Sequence, residues 1–323
     1  MQKETKDSQN LLYKALYIAI SAGKIIMKFH GDKTHKQKAD KSPLTQADLE
    51  SNAYITEQLQ NISPYKVCSE EAILEYSERK NLECFWLIDP LDGTKDFIAG
   101  NGNFTINIAL VKQNKILLGI VYAPCLYEAY IGLKGFGSFG YNILDFGNFV
   151  NANNSYEMQI EWLKANKIPL NKSHAKQIYG NNLEYLSDIN TNVKKHILEN
   201  IECVNKENKE KRLLACNSLF HSTKETQEFL NQHNAIVLKR GSSLKICALA
   251  SGIADIYPRM NGTSEWDTAA SDIILQESGG IIIDLQTKQP LHYNKENIRN
   301  NHFIAFNSMY KDSSIYQNLV KQK

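Results

Sequence analysis

The chain has 323 residues, 42% of them hydrophobic and 22% charged, an ordinary balance for a globular protein with room for two packed subdomains or one large core. With 37 basic against 35 acidic residues the formal net charge is +2, which gives no electrostatic case for nucleic-acid binding. The six cysteines (Cys68, Cys84, Cys125, Cys203, Cys216 and Cys247) are scattered and form no CxxC pair, so they read as reduced thiols in a cytoplasmic setting rather than as a disulfide framework.

The first ten residues are polar and carry no secretory signal. Leu11 to Phe29 looks apolar, but Lys14, Lys24 and Lys28 interrupt it. Leu12, Leu16, Ala19, Ile26 and Phe29 recur near helical spacing, so the stretch predicts an amphipathic, core-facing helix. A membrane span is disfavoured, which leaves at most a peripheral contact with the inner face of the membrane. A charged link, HGDKTHKQKADKSP, follows. A second helix is expected from about Pro43–Thr45 to Asn61, with Pro64 breaking the chain. YKVCSEE reads as a short strand ending in acids, and CFWLID as a strand rich in aromatic and branched residues. NFTINIALVKQNKILLGIVYAP reads as a hairpin turning at Lys112 to Lys115, and YEAYIGLKGFGSFG continues the sheet into glycine-rich loops.

From Tyr141 to Arg212 the composition shifts towards Asn and Lys, which reads as a solvated insertion of helix and long loops. Strand and helix then alternate. LLACNSLF is a strand and TKETQEFLNQH a helix. NAIVLKRGSSLKICALASGIADIYPRM is strand, glycine turn, helix and strand. EWDTAASDIILQESGGIIIDL is a helix capped by Asp267, closed by Gly279-Gly280 and followed by a strand. The expected organisation is an N-terminal α+β unit over residues 1–140, the insertion over 141–212 and a C-terminal α/β unit over 213–323.

Candidate chemistry centres on WLIDPLDGTKDF. A buried strand delivers Asp89, Pro90 sharpens a turn, and Asp92 comes round to the same side. Gly93 lets a ligand approach the backbone, and Thr94 opens a helix. Two carboxylates beside a helix N-terminus suit a divalent cation and a phosphate together. Alone, the spacing also fits a β-turn with Asp92 as an N-cap. Glu70-Glu71, Asp267 and the Thr45–Asp48 pair add acids elsewhere, though they equally suit a solvated pair, an N-cap and a first-turn charge.

Taken together, Asp40–Asp48 (DKSPLTQAD), Ser69-Glu70-Glu71, Asp89–Phe97 (DPLDGTKDF) and Trp266–Ala270 (WDTAA) resemble the motifs of the lithium-sensitive inositol monophosphatase superfamily of Mg²⁺-dependent phosphatases. The likeness runs from about Leu12 to Gly140 and from Leu214 to about Asn307. It implies an α-β-α-β-α sandwich of the inositol monophosphatase and fructose-bisphosphatase type. Lys95 and the block GSSLKICALASGIADIYPR resemble its 3'(2'),5'-bisphosphate nucleotidase branch, whose members convert 3'-phosphoadenosine 5'-phosphate to AMP.

That resemblance implies a first Mg²⁺ on Glu70, Asp89 and the Leu91 carbonyl, and a second on Asp89, Asp92 and Asp267. A third, weaker ion is expected near Glu70 in some states. A shared carboxylate suits two ions roughly 4 Å apart. Asp48 and Thr94 correspond to the pair that activates water, and the Gly93 and Thr94 amides to the phosphoryl site. Ser242, Lys245 and Arg259, with Ser243 beside them, are candidates for the 5'-phosphate, Lys245 as a point charge and Arg259 as a bidentate partner. GSSLK also reads as a glycine turn before an N-capped helix, and it lacks Walker A spacing. The branch usually carries S-R-S-H where this chain reads CNSLFHSTKE, so Asn217 replaces an arginine. His221 matches the branch histidine only with two residues inserted before it. An inositol or sugar monophosphatase, or a catalytically quiet nucleotide-binding regulator, are the alternatives. The expected partner is a nucleotide bisphosphate, not nucleic acid, and the expected state is a monomer or homodimer.

Overall fold

Leu12, Leu16, Ala19 and Ile26 are fully buried along one face of helix α1 (Gln2–Lys28), so its apolar stripe is a core face although its length and hydropathy alone would suit a membrane span. The computed structural model describes residues 2–38, 43–143, 146–147, 154–170 and 212–321. After α1, the two-residue strands β1 (Lys36–Gln37) and β2 (Pro43–Leu44) pair antiparallel. Helix α2 (Gln46–Ile62) begins with a capping box in which the Thr45 side chain and the Asp48 carboxylate each accept from the other's backbone N–H.

Strand β3 (Lys66–Ser69), the short helix α3 (Tyr76–Arg79) and strand β4 (Cys84–Asp92) follow, then helix α4 (Thr94–Ala99). Strands β5 (Thr105–Lys112) and β6 (Lys115–Ala123) form the expected hairpin, with Gln113 and Asn114 both at positive φ in its tight turn. Next come β7 (Glu128–Leu133) and β8 (Gly137–Asn142), so GSFG is part of a strand and the glycine-rich loop is confined to residues 134–136.

The expected insertion is corrected in part. Helix α5 (Tyr156–Ala165) packs on α1, and β9 (Ile168–Pro169) pairs with β8. Tyr141 donates from its hydroxyl to the Leu163 carbonyl, and Tyr141, Ile160 and Leu163 are buried in the core shared with α1. Apolar residues at helical spacing within the Asn/Lys-rich background carry this packing. The rest of the expected insertion, residues 171–211, lies outside the described residues.

The C-terminal half contributes β10 (Leu214–Asn217), α6 (Lys224–Gln232), β11 (Ile236–Lys239), α7 (Leu244–Ala250), β12 (Ile256–Arg259) and β13 (Thr263–Ser264). It ends with α8 (Glu265–Glu277), β14 (Ile281–Asp284), β15 (Arg299–Asn300), β16 (Phe303–Phe306) and α9 (Ser314–Lys321).

Two sheets organise these elements. The first has the order β3-β4-β5-β6-β7-β8-β9, parallel at β3–β4 and antiparallel elsewhere; the second has the order β11-β10-β12-β16-β14. Alternating faces of the first sheet build two cores. Trp86, Ile88, Ile106 and Ile108 pack with α1 and α2, while Phe85, Leu87, Ala109 and Val111 pack with α7 and α8. The outer face of the second sheet (Ile256, Ile283, Ile304 and Phe306) is covered by Phe229 of α6 and by Tyr316 and Leu319 of α9. The result is the expected α-β-α-β-α layering. Among the described residues, Cys68, Cys84, Cys125, Cys216 and Cys247 are buried free thiols.

Candidate active site

The two acids of WLIDPLDGTKDF do not sit on a turn. Strand β4 continues through Pro90 and Leu91 to Asp92, pairing Asp89 with Asn107 and Asp92 with Thr105. Three steps on β4 therefore oppose two on β5, which is a β-bulge. In a regular strand, residues i and i+3 face opposite ways; the extra residue restores parity, so both carboxylates reach the α7–α8 side. Pro90 is tolerated there because a bulge spares it a ladder hydrogen bond. Gly93 then takes φ 92° and opens α4, and a Cβ at this position would lie 3.2 Å from the Asn103 carbonyl oxygen.

Glu70 arrives from the end of β3. Asp267 arrives from the first turn of α8, at the third helical position rather than at the N-cap expected from sequence. Ser264 is the N-cap, and its N–H donates to Asp267 Oδ2 at 2.7 Å. Oxygens of Glu70, Asp89 and Asp267 lie within 4.8 Å of one another. Asp92 is not a member of that group. Its Oδ2 instead accepts from Ser242 Oγ at 2.5 Å, the Ser243 N–H at 3.1 Å and Asn107 Nδ2 at 3.2 Å.

Burial, followed by the charges of Glu70, Asp92 and Asp267, pushes the Asp89 carboxyl well above its ordinary range. Burial, then Asp92 and Glu70, push Asp267 up to about 8. Burial likewise raises Asp92, against the opposing pull of Ser242, Lys245 and Asn107. Asp89 is 1% exposed, and among the described residues its one backbone partner is the Leu91 N–H at 3.1 Å. A cluster of desolvated, mutually repelling oxygens could hold a metal ion, whose charge would reverse each of these shifts.

Thr94 Oγ lies 3.3 Å from Asp48 Oδ1 and 3.4 Å from the Leu91 carbonyl oxygen. Asp48 Oδ2 is occupied by the Thr45 N–H at 2.7 Å and the Thr45 hydroxyl at 2.5 Å. One carboxylate thus serves both as cap and as acceptor for Thr94. Burial raises its pKa, opposed by Thr45.

A cleft of about 860 Å³ is lined by Glu70, Asp89, Leu91, Asp92, Gly93, Thr94 and Asp267 at one end, and by Lys95, His221, Lys245 and Arg259 at the other. Lys245 is buried. Its Nζ donates to the Ser242 carbonyl at 2.6 Å and stands 5.4 Å from the Tyr257 ring centroid. Burial and the neighbouring Arg259 lower its pKa to about 8, although Asp92 and Asp96 pull the other way. Arg259 is 8% exposed, and its buried Nε has no hydrogen-bond partner among the described residues. His221 is half-buried beside these cations, and burial with Arg259, Lys95 and Lys245 lowers it to about 4. Asn217 holds Ser222 and the Ser218 N–H behind the cleft wall.

Sequence reasoning passed over Lys38, whose Nζ lies 2.6 Å from Glu70 and 2.5 Å from Glu71. Nothing local distinguishes it from the other lysines of HGDKTHKQKADKSP. It also passed over Asp96, a buried carboxylate lining the cleft, pushed up to about 6 by burial against the hydrogen bond from Asn101. Thr105 and Asn107 were missed too, though two polar residues on one face of the apolar strand TINIALVK were a readable signal. Residues 39–42, which include Asp40 and Lys41 of the first motif, lie outside the described residues.

The layered fold and acid-lined cleft are those of a phosphatase family: the inositol monophosphatase family model matches residues 7–321, and the chain belongs to that family. It is 31% identical over 303 residues to the 3'(2'),5'-bisphosphate nucleotidase CysQ of Aggregatibacter actinomycetemcomitans, covering 91% of this chain and 92% of that protein. The corresponding protein of Haemophilus influenzae is 30% identical over 315 residues, covering 96% and 98%. Among solved structures, CysQ from Bacteroides thetaiotaomicron superposes with a TM-score of 0.67 at 29% identity, covering 93% of this chain and 97% of that one. Thermotoga maritima IMPase shares the fold, with a TM-score of 0.62 at 19% identity, covering 95% and 96%.

Proposed function

We propose that this chain is a Mg²⁺-dependent 3'(2'),5'-bisphosphate nucleotidase that hydrolyses 3'-phosphoadenosine 5'-phosphate to AMP and orthophosphate. The carrying observation is the single cleft with two poles: clustered carboxylates at one end, Lys245 and Arg259 at the other. A substrate with one phosphate needs only the first pole. A nucleotide with phosphates on both sides of a ribose uses both. The cleft volume suits a nucleotide-sized ligand, and the likeness to the CysQ proteins supports the same reading.

Glu70, Asp89, Asp92, Asp267 and the Leu91 carbonyl are the residues that would hold two or three Mg²⁺ ions. When bound, Mg²⁺ supplies charge neutralisation for the phosphoryl group and acidifies water. Thr94 Oγ, its proton directed to Asp48 Oδ1, has lone pairs free to orient the attacking water and to take up a water proton as its own passes to the Asp48 carboxylate. The Gly93 and Thr94 amides at the start of α4 are placed to donate to phosphoryl oxygens. The P–O bond to the 3'-oxygen breaks as the water oxygen bonds to phosphorus, and the departing 3'-oxygen takes a proton from solvent water to leave as a hydroxyl. Lys245 and Arg259 bind the 5'-phosphate, with Arg259 Nε donating from a position that otherwise leaves a buried N–H unpaired. Lys95 and His221 line the same end. A cytoplasmic setting belongs to this reading.

Phosphate release measured side by side on 3'-phosphoadenosine 5'-phosphate, its 5'-phosphosulfate counterpart and inositol 1-phosphate tests it. The expected order of kcat/KM puts the bisphosphate first. Preference for inositol 1-phosphate overturns the nucleotide assignment in favour of an inositol monophosphatase.

A further inference from the structure

The resemblance makes Ser242 a candidate for the 5'-phosphate, but its hydroxyl donates to Asp92. We propose that Ser242, backed by Thr105 and Asn107, is a positioning residue that commits Oδ2 of Asp92 to the protein and leaves Oδ1 for a divalent cation. The inference rests on the reading of Asp92 as a cation ligand and specifies how that ligand is oriented.

Three donors converge on one oxygen of Asp92, Ser242 Oγ at 2.5 Å, the Ser243 N–H at 3.1 Å and Asn107 Nδ2 at 3.2 Å, and the Ser243 hydroxyl, whose shorter bond is to the Asp267 carbonyl, stands 3.5 Å from it. No described residue donates to Oδ1. A carboxylate oxygen surrounded by three donors has little left for a metal, while its bare partner keeps all its lone pairs. Behind it, Thr105 Oγ touches both Ser242 Oγ and Asn107 Oδ1, the latter at 2.8 Å. Counting protons fixes the direction. The carboxylate only accepts, so the Ser242 proton belongs to Asp92. Thr105 has one proton for its two contacts; donated to Asn107 Oδ1, it leaves Asn107 Nδ2 turned towards Asp92. Thr105 and Asn107 are fully buried, so this network has no solvent to replace a lost partner.

The backbone is built for the same purpose. Ser242 takes φ 50°, a left-handed conformation that serine seldom adopts. The turn is driven close to the first sheet, where the Gly241 N–H donates to Asn103 Oδ1 at 3.2 Å and a Cβ on Gly241 would lie 2.2 Å from the Asn103 carbonyl oxygen. Ser243 Oγ donates to the Asp267 carbonyl at 2.7 Å, so the same turn ties Asp92 of β4 to Asp267 of α8.

The test is calorimetric titration of metal-free protein with Mn²⁺, alongside kinetics on a nucleoside 3',5'-bisphosphate and on the 3'-monophosphate. Ser242→Gly removes the hydroxyl at a φ that glycine accepts freely, so it isolates the hydrogen bond from the backbone. Ser242→Gly and Thr105→Val are expected to weaken Mn²⁺ binding about 10–100-fold. The ratio of KM values for the two substrates should stay as in the wild type. Thr105→Ser, which restores the hydroxyl, should bind Mn²⁺ as the wild type does. Wild-type Mn²⁺ binding in Ser242→Gly, with KM raised only for the bisphosphate, would make Ser242 a phosphate contact and overturn the inference alone. A wild-type chain that binds no Mn²⁺ overturns the reading of the acids and this inference with it.

Discussion

Gly119 lies on β6 directly beneath α8, and the helix leaves it no room for a side chain. A Cβ built there would stand 2.4 Å from the Ala270 carbonyl oxygen and 2.6 Å from Ile273 Cγ2, where ordinary contact begins at 3.4 Å. The obstruction at 2.4 Å is helix backbone, which cannot rotate away. Gly119→Ala therefore needs a separation of about 1 Å between sheet and helix, given the usual packing distances. Overpacking of this kind costs about 1–3 kcal/mol. In a chain of this size that corresponds to a fall in Tm of about 1.5–4.5 °C. The consequence for activity is larger in proportion. Asp267 sits in the first turn of the displaced helix, one turn before Ala270, and a misplacement of about 1 Å at a site group can cost about 100-fold in rate. Calorimetric melting of the metal-free protein and steady-state kinetics at saturating Mg²⁺ measure the two effects. Gly147→Ala, where no described residue lies within 4 Å of the new methyl, is the control for the added side chain itself. A Gly119→Ala protein with wild-type Tm and wild-type kcat would refute the claim that contact between sheet and helix sets the position of Asp267.

Asp89→Asn should reduce phosphate release to background, because the carboxylate at the centre of the acidic group loses its charge; turnover near the wild-type level would sink the two-metal reading. Thr94→Ala should lower kcat about 10²–10⁴-fold while Mn²⁺ binding measured by calorimetry stays unchanged, and parallel loss of metal binding would make Thr94 structural instead. Lys245 also predicts a pH dependence. Its pKa is lowered to about 8 by burial and Arg259, so the free enzyme loses this positive charge as pH rises through about 8. KM for the bisphosphate should then climb above pH 8 while kcat holds, and Lys245→Arg, which stays charged, should flatten that climb. The double variant Lys245→Ala with Arg259→Ala should raise KM for the bisphosphate at least tenfold and leave inositol 1-phosphate hydrolysis little changed; an unaltered KM would place the second phosphate elsewhere.

Much of this molecule is local in origin and was therefore legible in the sequence. Helical spacing of apolar residues marked α1, aromatic and branched residues marked β4, the turn at Lys112 to Lys115 marked the β5–β6 hairpin, and the Thr45–Asp48 pair marked the start of α2. Each depends on hydrogen bonds within a few residues. The acids Glu70, Asp89, Asp92 and Asp267 were also legible, as motif members. Their geometry was not. The bulge that brings Asp89 and Asp92 to one face is a matter of register between β4 and β5, which no property of β4 alone sets. The direction of the Ser242 hydroxyl depends on Asp92, 150 residues away in the chain. Lys38 was indistinguishable from its basic neighbours until the fold set it against Glu70 and Glu71. Residues 154–170 looked like part of a solvated insertion because Asn and Lys dominate the surrounding composition, whereas Ile160, Leu163 and Leu170 are buried in the two cores. Composition and short-range pattern determined which residues were available for chemistry and which segments were helix or strand. Tertiary structure alone decided which atoms face the cleft, because pairing register, close packing and burial are properties of contacts between segments distant in the chain.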